Sequence, residues 1–424
     1  MINFDEAMSF INSFDRLGKP VSDLNRMTAL LSLLGNPHKH LKFIHIAGTN
    51  GKGSVAQMCS EILIDAGYRV GLFTSPYIID YTDRIKVGNN NIPEKSLCEI
   101  VEQVKKVTDS VEYRESFSQF EITNAIAFLY YRKIHCDIVV LEVGIGGRLD
   151  STNVITAPLV SIITSISYDH TAILGETLKD IAFHKAGIIK KGCPCVLSVN
   201  NPQEVVEVIQ KEALHKISML MIPDNKKLRV IHSGIMGSDI FYDGKPYRIK
   251  MSGEHQIINA LSVIEAMNIL IKKGMCISYR NIFNGIKSAV VPARAEVLST
   301  EPIIILDGAH NQAGMSSLGS ILSKIDCTPK IAVIGMVRDK NARESIKQIL
   351  PYISEFICVD GFAANAVPAG ELADIIKSLG KNAFEVYDID YAISEAKEII
   401  NDAGLLVICG SLYLASTARK IYLK

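Results

Sequence analysis

The 424-residue chain contains no tryptophan, and only 7% of it is aromatic. It carries no excess of charge, with 45 Lys and Arg against 45 Asp and Glu. That balance argues against a nucleic-acid coat or a polybasic membrane binder, yet leaves room for a local basic pocket that takes a small anion. No apolar run approaches the length of a membrane span. The nine cysteines form no pair of CxxC motifs, and only Cys193 and Cys195 lie close together. Neither a zinc site nor a disulfide framework is expected; reduced thiols in a cytoplasmic protein are. The opening residues MINFDEAMSF lack the basic start of a signal peptide. Glycine and proline are ordinary in number, which excludes collagenous or low-complexity character.

What is present is a recurring unit: a short β-rich run, a glycine-bearing turn, then a helical pattern. Phe43–Ala47 reads as the first strand, followed by a helix from about Ser54 to Ala66 that Gly67 stops. Residues 69–73, 137–143 and 159–166 read as further buried strands. Such alternation predicts an α/β fold, an open parallel sheet with helices on both faces. After a helix at 279–288, two prolines bracket a polar stretch, and strands restart at 303–306, 330–334, 356–359 and 405–409. The expected division is a large N-terminal domain at 1–291, a linker at 292–301 and a smaller C-terminal α/β domain at 302–424. Residues 214–249 read as short strands and turns.

The strongest chemical signal is HIAGTNGKGS, His45–Ser54. Glycines let backbone N–H groups face an anion, and a helix N-terminus adds a positive field. Lys52 would neutralise phosphate charge, and Ser54 would offer a hydroxyl to Mg²⁺. The spacing departs from G-x-x-x-x-G-K-[ST], since Ile46 stands at its first glycine and Gly53 separates lysine from serine. Three further signals fall at the carboxyl ends of predicted strands, where open α/β sheets place ligands: Thr74-Ser75-Pro76, Glu142 before a glycine-rich turn, and Asp169-His170. Taken alone, Glu142 reads as an ion-pair partner and His170 as a capping residue. Lys185, in DIAFHKAGIIK, reads on residue physics as a lysine snorkelling to solvent. His255, Gln256 and Asn259 open an amphipathic helix, either as a capped polar start or as amide groups for a nucleotide base. Arg294 in the linker suits a phosphate, and DGAHN (307–311) and Gly410-Ser411 end two more strands.

Taken in order, AGTNGKGS, TSP with Arg84-Ile85, Phe120-Glu121, EVGIGGRLDSTN, DHTAILGETL, KAGIIK, HQIINA, a proline-to-arginine linker, DGAHN and GSLYL resemble the folylpolyglutamate synthase/dihydrofolate synthase family of the Mur ligase superfamily. The resemblance covers residues 23–416. It implies an ATP-dependent amide ligase that adds L-glutamate to a folate-type carboxylate through an acyl phosphate, with ATP and Mg²⁺ as cofactors. It implies a P-loop-type parallel-sheet domain followed by a Rossmann-like one. By the same resemblance, Asn50, Gly51, Lys52, Gly53, Asn259, Arg294 and Asp307 bind ATP. Ser54, Glu142 and His170 ligate Mg²⁺, with Lys185 as a carbamate; Lys52, Lys185 and His170 serve the chemistry. Asn25, Arg26, Ser75, Phe120, Glu121 and Asp150 lie on the acceptor side, and His310 and Ser411 on the glutamate side. The partners implied are small molecules (ATP, L-glutamate, folate or dihydropteroate), with no nucleic acid, no membrane and a monomeric state. The chain departs from the family pattern at Tyr77, His184, Ala293, Ala295 and Gln312. Two alternatives stand beside this reading: a Mur-type ligase for a non-folate acid, and an ATP-binding module without turnover.

Overall fold

The computed structural model describes residues 2–15, 21–338 and 340–422. They form two compact units, Met1–Lys226 with Ile258–Ser288, and Lys227–Ile257 with Ala289–Lys424.

The first unit is built on strands β1 (Phe43–Ala47), β2 (Val70–Phe73), β3 (Ile85–Val87), β4 (Asn90–Asn91), β5 (Ile138–Glu142), β6 (Val160–Ile163), β7 (Cys195–Leu197) and β8 (Leu220–Met221). They lie in the order β4-β3-β2-β5-β1-β6-β7-β8. All neighbours are parallel except at β2–β3 and β3–β4. Strands β1, β2, β5 and β6 are buried at every position. That explains why their sequences run apolar without alternating. Phe43, Phe73, Val139 and Leu141 pack with the helices Phe4–Asn12, Asn25–Leu33, Glu94–Thr108 and Gln119–Lys133. Ile163 and Leu197 pack with Leu178–Ala186 and Gln203–His215. The helices Lys52–Asp65 and Tyr279–Ser288 approach closely at Gly285, where a Cβ would stand 2.4 Å from the backbone nitrogen of Ile62.

The second unit holds a three-stranded antiparallel sheet, β9 (Leu228–Gly234), β10 (Gly237–Tyr242) and β11 (Lys245–Ile249); within the interval 214–249 expected as short strands and turns, only residues 214 and 215, the end of a helix, and the short 3-10 turn Asn225–Lys227 differ. Its main sheet contains β12 (Glu296–Thr300), β13 (Ile303–Leu306), β14 (Lys330–Ile334), β15 (Glu355–Cys358), β16 (Asn382–Glu385) and β17 (Leu405–Cys409), in the order β12-β13-β17-β14-β15-β16. Only the β12–β13 pair is antiparallel. Half of the interval read as a linker is thus strand β12. Ile235, from the turn between β9 and β10, packs against this unit's hydrophobic core.

Strand β6 ends at Ile163 rather than at residue 166. There Thr164 turns its hydroxyl to the carbonyls of Ala47 and Asn50, at 3.3 and 2.7 Å. No helix among the described residues is long and apolar enough to cross a membrane.

Candidate active site

Parallel pairing sets Ile46 of β1 opposite Glu142 of β5, and Ala47 opposite Ile163 of β6. The three carboxyl ends therefore meet around the loop Gly48–Gly51. Two glycines there are required by space: a Cβ on Gly48 would fall 1.7 Å from Thr164 Oγ1, and one on Gly51 would fall 2.5 Å from Asn259 Oδ1. Gly51, at φ +87°, precedes the helix that begins at Lys52, two residues earlier than the sequence suggests. Thr49 N–H donates to Ser165 O at 2.7 Å, and Thr49 Oγ1 donates to Ser167 O at 3.0 Å. The loop is thereby braced from β6 by residues that no motif singled out; a hydroxyl run after a strand was the only signal.

Two lysines converge on one carbonyl. Lys52 Nζ donates to Gly48 O and Thr49 O, both at 3.1 Å, and Lys185 Nζ donates to Gly48 O at 2.8 Å. Lys185 does not snorkel to solvent; it is buried, 3% exposed. Helix Leu178–Ala186 ends at Gly187, and a Cβ on Gly187 would fall 2.4 Å from Arg148 Cα. So close a seat leaves the lysine aimed inward. Burial, then the charge of Lys52, brings its pKa down to about 7, against the opposing pull of Asp169 and Asp150. Such a lysine is substantially a neutral, nucleophilic amine at neutral pH.

Glu142 is buried, and its Oε2 accepts the N–H of Ser75 at 3.1 Å. The same oxygen lies 3.8 Å from where a Cβ on Gly53 would stand. Ser54, one residue on, is buried on the first turn of the helix. His170 takes a left-handed conformation (φ +51°) at the head of the short helix Thr171–Leu174, its Nε2 4.0 Å from Asp169 Oδ1. Among the described residues no group of three or more His, Cys, Asp or Glu is gathered as a preformed metal cage. Mg²⁺ keeps waters and takes one or two protein oxygens together with phosphate oxygens. A carboxylate and a hydroxyl beside a phosphate-type loop are a fitting donor set.

Among the residues expected on the acceptor side, Arg26 grips Glu121 through two contacts, Nε to Oε1 at 2.9 Å and a second nitrogen to Oε2 at 2.8 Å. Glu121 also closes a capping box with Ser118. Phe120 lies against Gly144, where a Cβ would meet its ring at 2.6 Å, and against the ring of Phe73. Asn25 is turned to its neighbour Asp23. Asp150 is bonded inward: Oδ1 accepts from Thr152 N–H and hydroxyl, and Oδ2 from Ile145 N–H. Burial, the larger effect, raises its pKa in spite of these bonds.

In the second unit, Asp307 accepts Ala295 N–H and Ala309 N–H, each at 2.6 Å. Burial raises its pKa, and the nearby Arg294 opposes that. Ala293 and Ala295 both take positive φ, +56° and +47°. Glu296 accepts Ala293 N–H and pairs with Arg419. His310 Nδ1 lies 2.8 Å from Gly308 O. Ser411 Oγ accepts Tyr413 N–H at the start of helix Leu412–Tyr422. Nine cysteines are free, seven of them buried.

Family models match the chain at residues 46–267, the Mur ligase middle domain, and 293–412, the Mur ligase glutamate ligase domain. The chain is 35% identical to the dihydrofolate synthase/folylpolyglutamate synthase of Bacillus subtilis, over 98% of each chain. It is 32% identical to the folylpolyglutamate synthase of Lacticaseibacillus casei, over 100% of this chain and 99% of that one. The structure of Mycobacterium tuberculosis folylpolyglutamate synthase complexed with ADP superposes with a TM-score of 0.90 at 26% identity, over 99% and 98% of the two chains.

Proposed function

This chain belongs to the folylpolyglutamate synthase/dihydrofolate synthase family within the Mur ligases, and we propose on that basis how its residues share the reaction. It is an ATP-dependent, ADP-forming ligase that joins L-glutamate to a folate-type carboxylate. The acceptor carboxylate attacks the γ-phosphorus of ATP, ADP leaves, and an acyl phosphate forms. The amine of glutamate adds to that carbonyl; phosphate leaves, and the amine gives up a proton as the amide forms.

The observation that carries the assignment is the convergence of Lys52 and Lys185 on Gly48 O beside Glu142. Lys52, now spent on loop carbonyls, exchanges them for β- and γ-phosphate oxygens, where its charge offsets what builds up as ADP leaves. The N–H groups of residues 50–53 and the helix they open bind the phosphates. Asn259, against Gly51, takes the adenine side of the nucleotide. Ser54, Glu142 and His170 would hold Mg²⁺, which would supply Lewis-acid polarisation of the transferred phosphoryl group. The neutral amine of Lys185 adds to CO₂, losing a proton, and the resulting carbamate becomes a further oxygen ligand. Arg26, Ser75, Phe120, Glu121 and Asp150 line the acceptor side, with Asn25 at its rim. Arg294 and Asp307 serve ATP, and His310 and Ser411 orient glutamate. By chain order we assign 1–291 to ATP binding, 292–301 to connection and 302–424 to glutamate delivery, with residues 227–257 and strand β12 packing in the second unit. The enzyme works as a cytoplasmic monomer, in keeping with its free thiols.

Phosphate release from ATP with Mg²⁺, glutamate and bicarbonate tests this, with dihydropteroate and tetrahydrofolate supplied separately and products weighed by mass spectrometry. A product one glutamyl residue heavier is expected with at least one acceptor, and the pattern assigns synthase, extender or both. ATP binding without any product would overturn the assignment. Bicarbonate depletion is expected to slow the wild type reversibly.

A further inference from the structure

His45 lies in the middle of β1, the strand that feeds the phosphate loop, and no solvent reaches it. In register it faces Leu141 of β5 and Ser161 of β6. Its Nε2 lies 2.9 Å from Thr152 Oγ1. The Thr152 hydroxyl in turn lies 2.6 Å from Asp150 Oδ1. A hydroxyl has one proton, and at that distance from a carboxylate the proton is directed to Asp150. Thr152 can then only accept from the imidazole. The direction of the whole chain is fixed: His45 Nε2–H donates to Thr152, and Thr152 donates to Asp150. Nδ1 is left as a buried lone pair with no partner. Burial, and then the charge of Lys190, holds the imidazole pKa down at about 3, so it is neutral at every working pH.

Asp150 gathers the loop that follows Glu142 by accepting Ile145 N–H at 2.9 Å. Asn153 extends the tie, donating to Arg148 O and Gly187 O at 3.0 and 3.1 Å. Arg148 N–H donates to His184 O at 2.7 Å. Through these bonds the loop clasps the end of the helix whose Lys185 reaches Gly48 O.

We propose that His45 is a positioning residue for the ligase reaction: acting through Thr152 and Asp150, it fixes the 144–153 loop and thereby the placement of Lys185 beside the phosphate loop. The proposal rests on the ligase assignment. A leucine at 45 would fill much of the space but leave Thr152 without its donor, and the Asp150 rotamer would loosen.

The test is a double-mutant cycle of His45→Leu and Thr152→Val, with Thr152→Ser as the conservative variant, each first compared with wild type by thermal melt. Both single variants are expected to lower kcat about 10–100-fold while KM for ATP changes little, as when an outer-shell partner is lost. The double variant is expected to be no slower than the slower single, since residues acting as one unit are not additive. Thr152→Ser, which keeps the hydroxyl, retains most of the rate. A second readout needs no variant: nitrogen chemical shifts of His45 in the wild type are expected to show a protonated Nε2 and an unprotonated Nδ1. Multiplying losses in the double variant, unchanged kcat in both singles, or a protonated Nδ1 would each overturn the relay. Should the wild type form no product with any acceptor, the ligase assignment fails instead, and the tautomer still reports on the hydrogen-bond chain.

Discussion

Single residues carry opposed demands in this molecule. Lys185 is held where a charge is unwelcome, so its pKa lies at about 7 in the folded protein against 10.5 when exposed. Between those values the unfolded chain binds the proton that the folded chain releases, and stability rises with pH. Lys185→Met is therefore expected to abolish ligation yet raise stability near pH 7, by an amount on the order of a few kcal/mol that shrinks towards pH 10. Urea denaturation of both proteins at pH 7 and 10 reads this directly. His45 works in the same sense at lower pH. Its pKa is depressed to about 3, so below 6.5 the unfolded chain takes up a proton the folded one refuses. Wild type should lose about 2 kcal/mol relative to His45→Leu between pH 6.5 and 5, beyond any loss they share. Ala293 pays for its left-handed backbone. Ala293→Gly is expected to stabilise the protein by about 0.5–1 kcal/mol, the steric relief exceeding glycine's added chain entropy, as a higher denaturation midpoint.

At the scale of elements, close approach decides more than propensity does. Helix Tyr279–Ser288 reaches the backbone of helix Lys52–Asp65 only because position 285 has no side chain. Gly285→Ala, favourable by helix propensity, is expected to destabilise by about 1–3 kcal/mol because the added methyl meets backbone atoms that cannot turn aside. A melting curve showing stabilisation would refute that. The same distinction explains what could be read in the sequence. Strands β1, β13, β14 and β17 and the helix at 279–288 occur at the residues expected, because continuous apolar runs and a 3.6-residue period are local signals. The strand–glycine loop–helix around residues 43–65 was legible for the same reason, its glycines and lysine being adjacent. Lys185 was not legible from residue physics, because its burial depends on Gly48, 137 positions away, and on Gly187 seating against Arg148. The Thr164 brace and the His45–Thr152 bond were likewise invisible, since each joins residues more than 100 positions apart. Family resemblance supplied roles for Lys185 and His170 that spacing alone did not.

Over the whole molecule, chain order and compactness do not coincide. The chain leaves the first unit after Lys226, returns after Ile257 and leaves again after Ser288. Residues 289–424 expressed alone would lack the β9–β11 sheet and the Ile235 contact with their core. That fragment is expected to be less stable than one in which residues 227–257 are joined to it by a flexible linker, as judged by denaturant midpoint. Equal midpoints would mean that the small sheet contributes nothing to the unit. The same three crossings impose a timetable during translation. Residues 227–257 emerge from the ribosome before residues 289–424 do, and at about 5–20 residues per second roughly 10–30 s pass before the last strand follows. Val230, Ile231 and Met236 of the three-stranded sheet are exposed even in the folded structure, so the nascent sheet presents apolar surface of the kind chaperones bind.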